Sequence, residues 1–180
     1  MTARKKTTLW VSAALALVVV VALLWAFAPW TAFVNTTVDE AAPSQVAASA
    51  NPSSTVMPPQ VGNVTLARGQ FRGLEHDTSG QATLLMTPAG ETVLRLSDFR
   101  TSNGPDVRVW LSGGAIDQAG SADSGRYVDL GALKGNIGNQ NYVLPPAAAD
   151  QTWDSVVIWC DRFSVAFGAA PLTPEAPTNR

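Results

Sequence analysis

The spacing of apolar and polar positions divides the chain into three regimes. Leu9 to Ala28 is an unbroken run of twenty residues without a charge. As a helix it is long enough to cross a hydrocarbon core of about 30 Å at about 1.5 Å per residue. From residue 29 to residue 61 large apolar side chains give way to Ala, Ser, Pro and Thr. Such a composition cannot bury enough surface to fold, so a disordered linker is predicted, stiffened by Pro43, Pro52, Pro58 and Pro59. From Gly62 to Leu172 the pattern is one of short strands separated by Gly, Pro, Asn and Asp, with no long amphipathic helix. Residues 173–180 read as a disordered tail.

Within this third regime, Val64 to Phe71 and Gln81 to Thr87 are the first two strands. Pro88-Ala89-Gly90 turns the second back into Thr92 to Leu96 as a hairpin. Asp106 to Ser112 alternates Val107, Val109 and Leu111 against Arg108, Trp110 and Ser112, the period of a half-buried strand. Shorter strands are expected at Tyr127 to Leu130 and Tyr142 to Leu144. Asn103-Gly104-Pro105-Asp106 and the Gly- and Asn-rich run from Gly135 to Asn141 read as turns, because both residue types tolerate positive φ. Ser155 to Phe167, SVVIWCDRFSVAF, is the densest stretch of β-branched and aromatic residues outside the N-terminal run and predicts a central strand. On it Cys160 shares a face with Ile158 and Val156, while Trp159 and Val157 face the other way. The fold class that follows is all-β: an antiparallel β-sandwich or flattened barrel after one N-terminal transmembrane helix.

Charge refines the topology. Arg4, Lys5 and Lys6 precede the apolar run, and no Lys or Arg follows it until Arg68. The basic flank predicts a single-pass protein with residues 1–8 cytoplasmic and the C-terminal domain extracytoplasmic, and the Ala-rich composition points to a bacterial plasma membrane. Ala26-Phe27-Ala28 also fits a signal-peptidase site, but the run is longer than a signal peptide needs. Removing the N-terminal triplet from the 12 basic residues leaves 12 − 3 = 9 against 14 acidic ones. The exported part is therefore acidic and offers no basic patch for nucleic acid.

The candidate chemistry is sparse. Cys160 is the only cysteine and His76 the only histidine. A lone cysteine in an exported domain makes no internal disulfide, so it is buried and inert, paired with another chain, or reactive. If the strand continued regularly past Cys160, Arg162 would lie on the same face and stabilise a thiolate; a polar turn at Asp161-Arg162 would spoil that alignment. Thiolate and imidazole are both axial ligand types for haem, which makes Cys160 and His76 candidate cofactor ligands, with His76 alternatively a proton partner or simply a loop residue. The chain has no CxxCH for covalent haem attachment and no GxSxG, and one Cys with one His is too few for an isolated zinc site.

Four motifs occur in order: GQFRGLEHDTSGQATL around His76, LSDFRTSNGPDVRVWLS from Leu96, DLGALKGNIGNQNYVLP from Asp129 and VVIWCDRFSVAFGAAPL from Val156. Together they resemble the DM-thirteen domain family, over nearly the whole of residues 62–172. The resemblance implies a β-sandwich-like extracytoplasmic electron-transfer domain. It also implies a characteristic cysteine, matched by Cys160, acting as a redox thiol or as ligand to a prosthetic group such as haem. Such a protein would be a carrier, working with a redox partner protein, more than a turnover enzyme. The rival expectation is a non-catalytic binding or adhesion module with a structural cysteine.

Overall fold

A computed structural model describes residues 3–27, 34–43, 62–114 and 126–175, with the side chains of residues 10–25 in the first of these stretches. The linker and tail positions outside those ranges, and the loop at 115–125, lie outside the described residues. The apolar run forms helix α1 (Ala3–Phe27). Its described side chains are exposed on every side, from Trp10 at 76% to Trp25 at 83%. Among the described residues no helix is long and apolar enough to cross a membrane. The helix expected over Leu9–Ala28 is thus present, and the crossing expected of it is not shown.

The remaining elements are β1 (Thr37–Asp39), β2 (Val64–Gln70), β3 (Arg72–Gly73), β4 (Ser79–Met86), β5 (Thr92–Arg100), β6 (Val107–Ser112), β7 (Tyr127–Ala132), β8 (Ile137–Val143), the single turn α2 (Pro146–Ala149), β9 (Ser155–Cys160), β10 (Val165–Pro171) and β11 (Thr173–Pro174). They form two sheets, in the order β1-β8-β5-β4-β2-β11 and β3-β10-β9-β6-β7. The sheets do not close into a barrel, so of the two expected architectures the open sandwich is the one realised. Every pairing is antiparallel except the edge pair β1 and β8. Three of the four edge strands (β1, β11 and β3) are only two or three residues long, which limits the unpaired backbone a free edge would offer to another chain.

The period-two pattern accounts for the core. Leu94 and Leu96 of β5, Val109 and Leu111 of β6, and Val156, Ile158 and Cys160 of β9 all point between the sheets and are fully buried. The alternate residues Val157 and Trp159 pack with Trp110, Ala166 and Ala169 in a second cluster on the outer face of the second sheet. β9 pairs with β10 on one side and β6 on the other, and all six of its residues are buried. This is the central strand expected from Ser155–Phe167, and its inward and outward faces are those the alternation predicts. The Pro88-Ala89-Gly90 turn also forms as expected, with Gly90 at φ 83° and its N–H donating to Thr87 O at 2.9 Å.

Two expectations need correction. The Gly- and Asn-rich run read as a turn is mostly β8, and part of the expected linker, residues 34–43, is bound to it. Thr37, Val38 and Asp39 pair with Ile137, Gly138 and Asn139. The asparagines that suggested a turn instead hold this N-terminal strap: Asn136 Nδ2 donates to Asn35 Oδ1 (2.9 Å), Asn139 Nδ2 to Asp39 Oδ1 (2.6 Å) and Asn141 Nδ2 to the Ala41 carbonyl (2.8 Å). The glycines serve close approach. A Cβ on Gly135 would sit 2.5 Å from Thr36 O, and one on Gly138 would overlap Val38 O.

The strap is further tied by Lys134 Nζ to Glu40 Oε1 at 2.7 Å, while Glu40 Oε2 accepts from Asn141 N. The Lys134 hydrogen bond is the main reason the Glu40 carboxyl titrates below its usual 4.5; partial burial opposes it, and the Asn141 N–H reinforces it. Because the folded value is the lower one, this contribution is present above about pH 4.5 and is lost as pH falls through the folded pKa. Both side chains are about a third or more exposed, so salt screens the pair and its worth is below about 1 kcal/mol. Acidification below pH 4.5 should loosen the strap before the core, seen as earlier loss of amide protection at Glu40 than at Ile158; simultaneous loss would contradict this.

Candidate redox site at one end of the sandwich

β9 ends at Cys160, and the register sets Val107 of β6 and Val165 of β10 on either side of it. The chain then turns through Asp161–Ser164, with Ser164 at φ 51° and the Asp161 N–H donating to Asp106 O at 2.9 Å. The strand does not continue, so the alignment that would carry Arg162 onto the face of Cys160 is not realised. Arg162 is exposed in the turn, whereas Cys160 is a free thiol with no exposed surface, on the inner face of the core.

His76 sits in the exposed β3–β4 loop, which is laced to β10. Its N–H and that of Leu74 both donate to Phe167 O, at 3.1 and 2.9 Å, and Glu75 N donates to Ala166 O at 3.2 Å. These bonds use a bulge in β10 between Ala166 and Gly168. The His76 ring lies on the Phe167 ring at 3.9 Å between centroids. Phe167 belongs to the same core cluster as Cys160. The two candidate ligands thus approach Phe167 from different sides, and no hydrogen bond joins them among the described residues.

A groove of about 430 Å³ opens at this end of the sandwich. Val34 and Thr36 of the strap form one wall, the Asn103–Val107 segment another, and residues 132–136 the third. Asn136 is buried and accepts from Thr36 N (2.8 Å) while donating to Thr101 O (3.1 Å). Gln140, fully buried, holds the third wall through Gly135 O (2.6 Å), Lys134 N (3.1 Å) and the Tyr142 hydroxyl (2.9 Å). Burial pushes the Tyr142 phenol up to about 12, so this network stays neutral at ordinary pH. Gly104 separates groove from core. A Cβ there would lie 2.8 Å from Val107 Cγ2 and 2.9 Å from Phe167 Cζ, so the absence of a side chain lets the loop lie directly over the residues packed around Cys160.

These residues do not fit a haem held between Cys160 and His76. The thiol is enclosed in the close-packed core, and the imidazole is outside it against Phe167. A metal has no better footing: among the described residues no three His, Cys, Asp or Glu side chains group to hold one. The sequence singled out Cys160, His76 and Arg162 and gave Gly104 only as part of a turn; Phe167 and the strap were not assigned to the site, since only pairing between distant strands brings these together.

The fold and this end of it define a class: a two-sheet β-sandwich with one buried free thiol beside an open groove. A family model described as "Electron transfer DM13" matches residues 70–172, and the chain belongs to that family. No curated protein and no solved structure matches the chain.

Proposed function

We propose that the chain is a membrane-anchored, extracytoplasmic electron carrier in which Cys160 is the redox group and a second redox protein is the partner. The observation that carries this reading is the placement of Cys160: its strand neighbour Val107 is itself a wall of the groove, so a small redox-active molecule there is one side chain away from the sulfur. Complete burial of the thiol disfavours exchange with another protein's disulfide, which needs direct access. Membership of an electron-transfer family supports the class of function. His76 acts from outside the core, as a proton partner at most, and Arg162 belongs to the surface of the turn.

The anchor is α1. Its uniformly apolar, exposed side chains need a non-aqueous cover, and the basic residues Arg4, Lys5 and Lys6 favour a cytoplasmic N-terminus. Because the strap docks from Val34 onward, only residues 28–33 separate helix from domain, a reach of at most about 20 Å. The domain would therefore work close to the membrane surface, where a membrane-bound redox partner lies. Full-length protein should stay with the membrane through an alkaline wash.

Voltammetry of the full chain tests the redox assignment. A reversible wave is expected that disappears in Cys160→Ser while the far-ultraviolet dichroism is unchanged. The same wave in both proteins, or none in either, would overturn it. The complete burial of Cys160 also favours a second reading, a binding module with a structural cysteine. In that case the substitution costs only stability, about 1–3 kcal/mol for a buried hydroxyl left without a partner.

A further inference from the structure

We propose that Tyr127, Trp110 and Trp159 form an electron path from the surface of the second sheet to the backbone at Cys160, an inference that rests on the electron-carrier reading above. The three residues stand on adjacent strands β7, β6 and β9, on the outer face. The pairing of Trp110 with Asp129 and Val157 makes Tyr127 and Trp159 its diagonal neighbours, two residues along on each side. Diagonal neighbours are within reach of aromatic rings. The rings stack accordingly, Tyr127 on Trp110 at 4.4 Å and 25°, and Trp110 on Trp159 at 4.7 Å and 22°. Exposure falls along the line from 48% at Tyr127 to 9% at Trp110 and 3% at Trp159. Trp159 is bonded to Cys160, whose side chain points through to the core on the opposite face.

A second observation concerns the proton. The buried Nε1 of Trp110 has no hydrogen-bond partner among the described residues. An oxidised indole ordinarily loses its N–H proton to a neighbour and is trapped as the neutral radical. With no acceptor among the described residues, Trp110 keeps the proton and passes the electron deficiency on. Tyr127, half exposed, can release its phenol proton to water and is the outer terminus. Removing one electron from an indole of the stack gives its cation radical and reduces the oxidant by one electron. The indole then recovers an electron from Tyr127, which becomes the neutral tyrosyl radical as its proton goes to water. In the cell the oxidant would be a one-electron redox protein docked over Tyr127 or an oxidising ligand beside Cys160.

Pulse radiolysis of the full chain with azidyl radical as the one-electron oxidant tests this. Azidyl is reduced to azide and oxidises tryptophan preferentially. The expected result is a kinetic phase, independent of protein concentration, in which tryptophanyl absorption decays as tyrosyl absorption rises. It should be lost in Trp110→Leu and in Tyr127→Phe, and kept in Trp153→Phe. Tyr127→Phe removes only an exposed hydroxyl, so it remains informative if Trp110→Leu unfolds. Persistence of the phase in Tyr127→Phe, or its absence from the wild type, would overturn the path. Retention of the phase in Cys160→Ser together with an unchanged voltammetric wave would sink the role of Cys160 while leaving the path standing.

Discussion

Phe99→Ala should cost about 3–5 kcal/mol of unfolding free energy. Phe99 is 1% exposed and meets Phe71 edge-on at 5.1 Å. It is also placed by an irregular stretch of β5: the ladder to β8 shifts register between Leu96 and Phe99, and Asp98 adopts φ 49°. The shift turns Phe99 into the core where simple alternation from Leu96 would have turned Asp98 inward. Truncation therefore leaves a cavity where two sheets and a bulge meet, a region with little freedom to collapse. Against a typical total of about 5–15 kcal/mol, the variant would retain at best a marginal fold. Urea unfolding is the measurement, with a lowered midpoint and an unchanged slope. Phe163→Ala, at a position 57% exposed in the β9–β10 turn, is the control and should shift stability by less than about 0.5 kcal/mol. Equal shifts in the two variants would show that the assigned core is wrong.

Gly138→Ala should release the N-terminal strap. Gly138 has φ 108°, and a Cβ there would run into the Val38 carbonyl of β1. The backbone strain alone is worth about 1–3 kcal/mol, and the steric conflict falls on the contact that holds the strap. Gly131 separates the two effects, because it has nearly the same φ, 107°, with nothing within 4 Å of an added Cβ. Gly131→Ala should show the strain alone, and Gly138→Ala that strain plus loss of hydrogen-exchange protection at Thr36 and Glu40. These amides donate to Asn136 Oδ1 and to Asn139 O. Because Val34 and Thr36 form a wall of the groove, the same variant should also open the groove beside Cys160. Retained protection at both amides would mean that β1 is held by something other than β8.

The strap matters for function because it ties three features together. It shortens the tether to α1, closes the sheet edge at β8, and completes the groove next to the thiol. The groove lies on the strap side and the aromatic stack on the outer face of the second sheet.

Local pattern was enough for the core strands and for the burial of Cys160. A period of two in Val107, Val109 and Leu111, and in Val156, Ile158 and Cys160, is dictated by strand geometry wherever one face must be dry, and no distant residue is needed to read it. Two of the four motifs that carry the family resemblance, those from Leu96 and from Val156, run through those strands. The strap, the groove and the position of Phe99 were not legible from local pattern. Each depends on a partner far along the chain: Asn136 on Asn35, Gly138 on Val38, Gly104 on Phe167. Asparagine and glycine have turn propensity in isolation, and that propensity is overridden when a strand from another part of the chain supplies the hydrogen bonds and requires the close approach that only a missing side chain permits. Arg162 is the converse case: continued alternation and a polar turn were both open past Cys160, and a four-residue turn ended the strand there, leaving the cation at the surface and the thiol in the core.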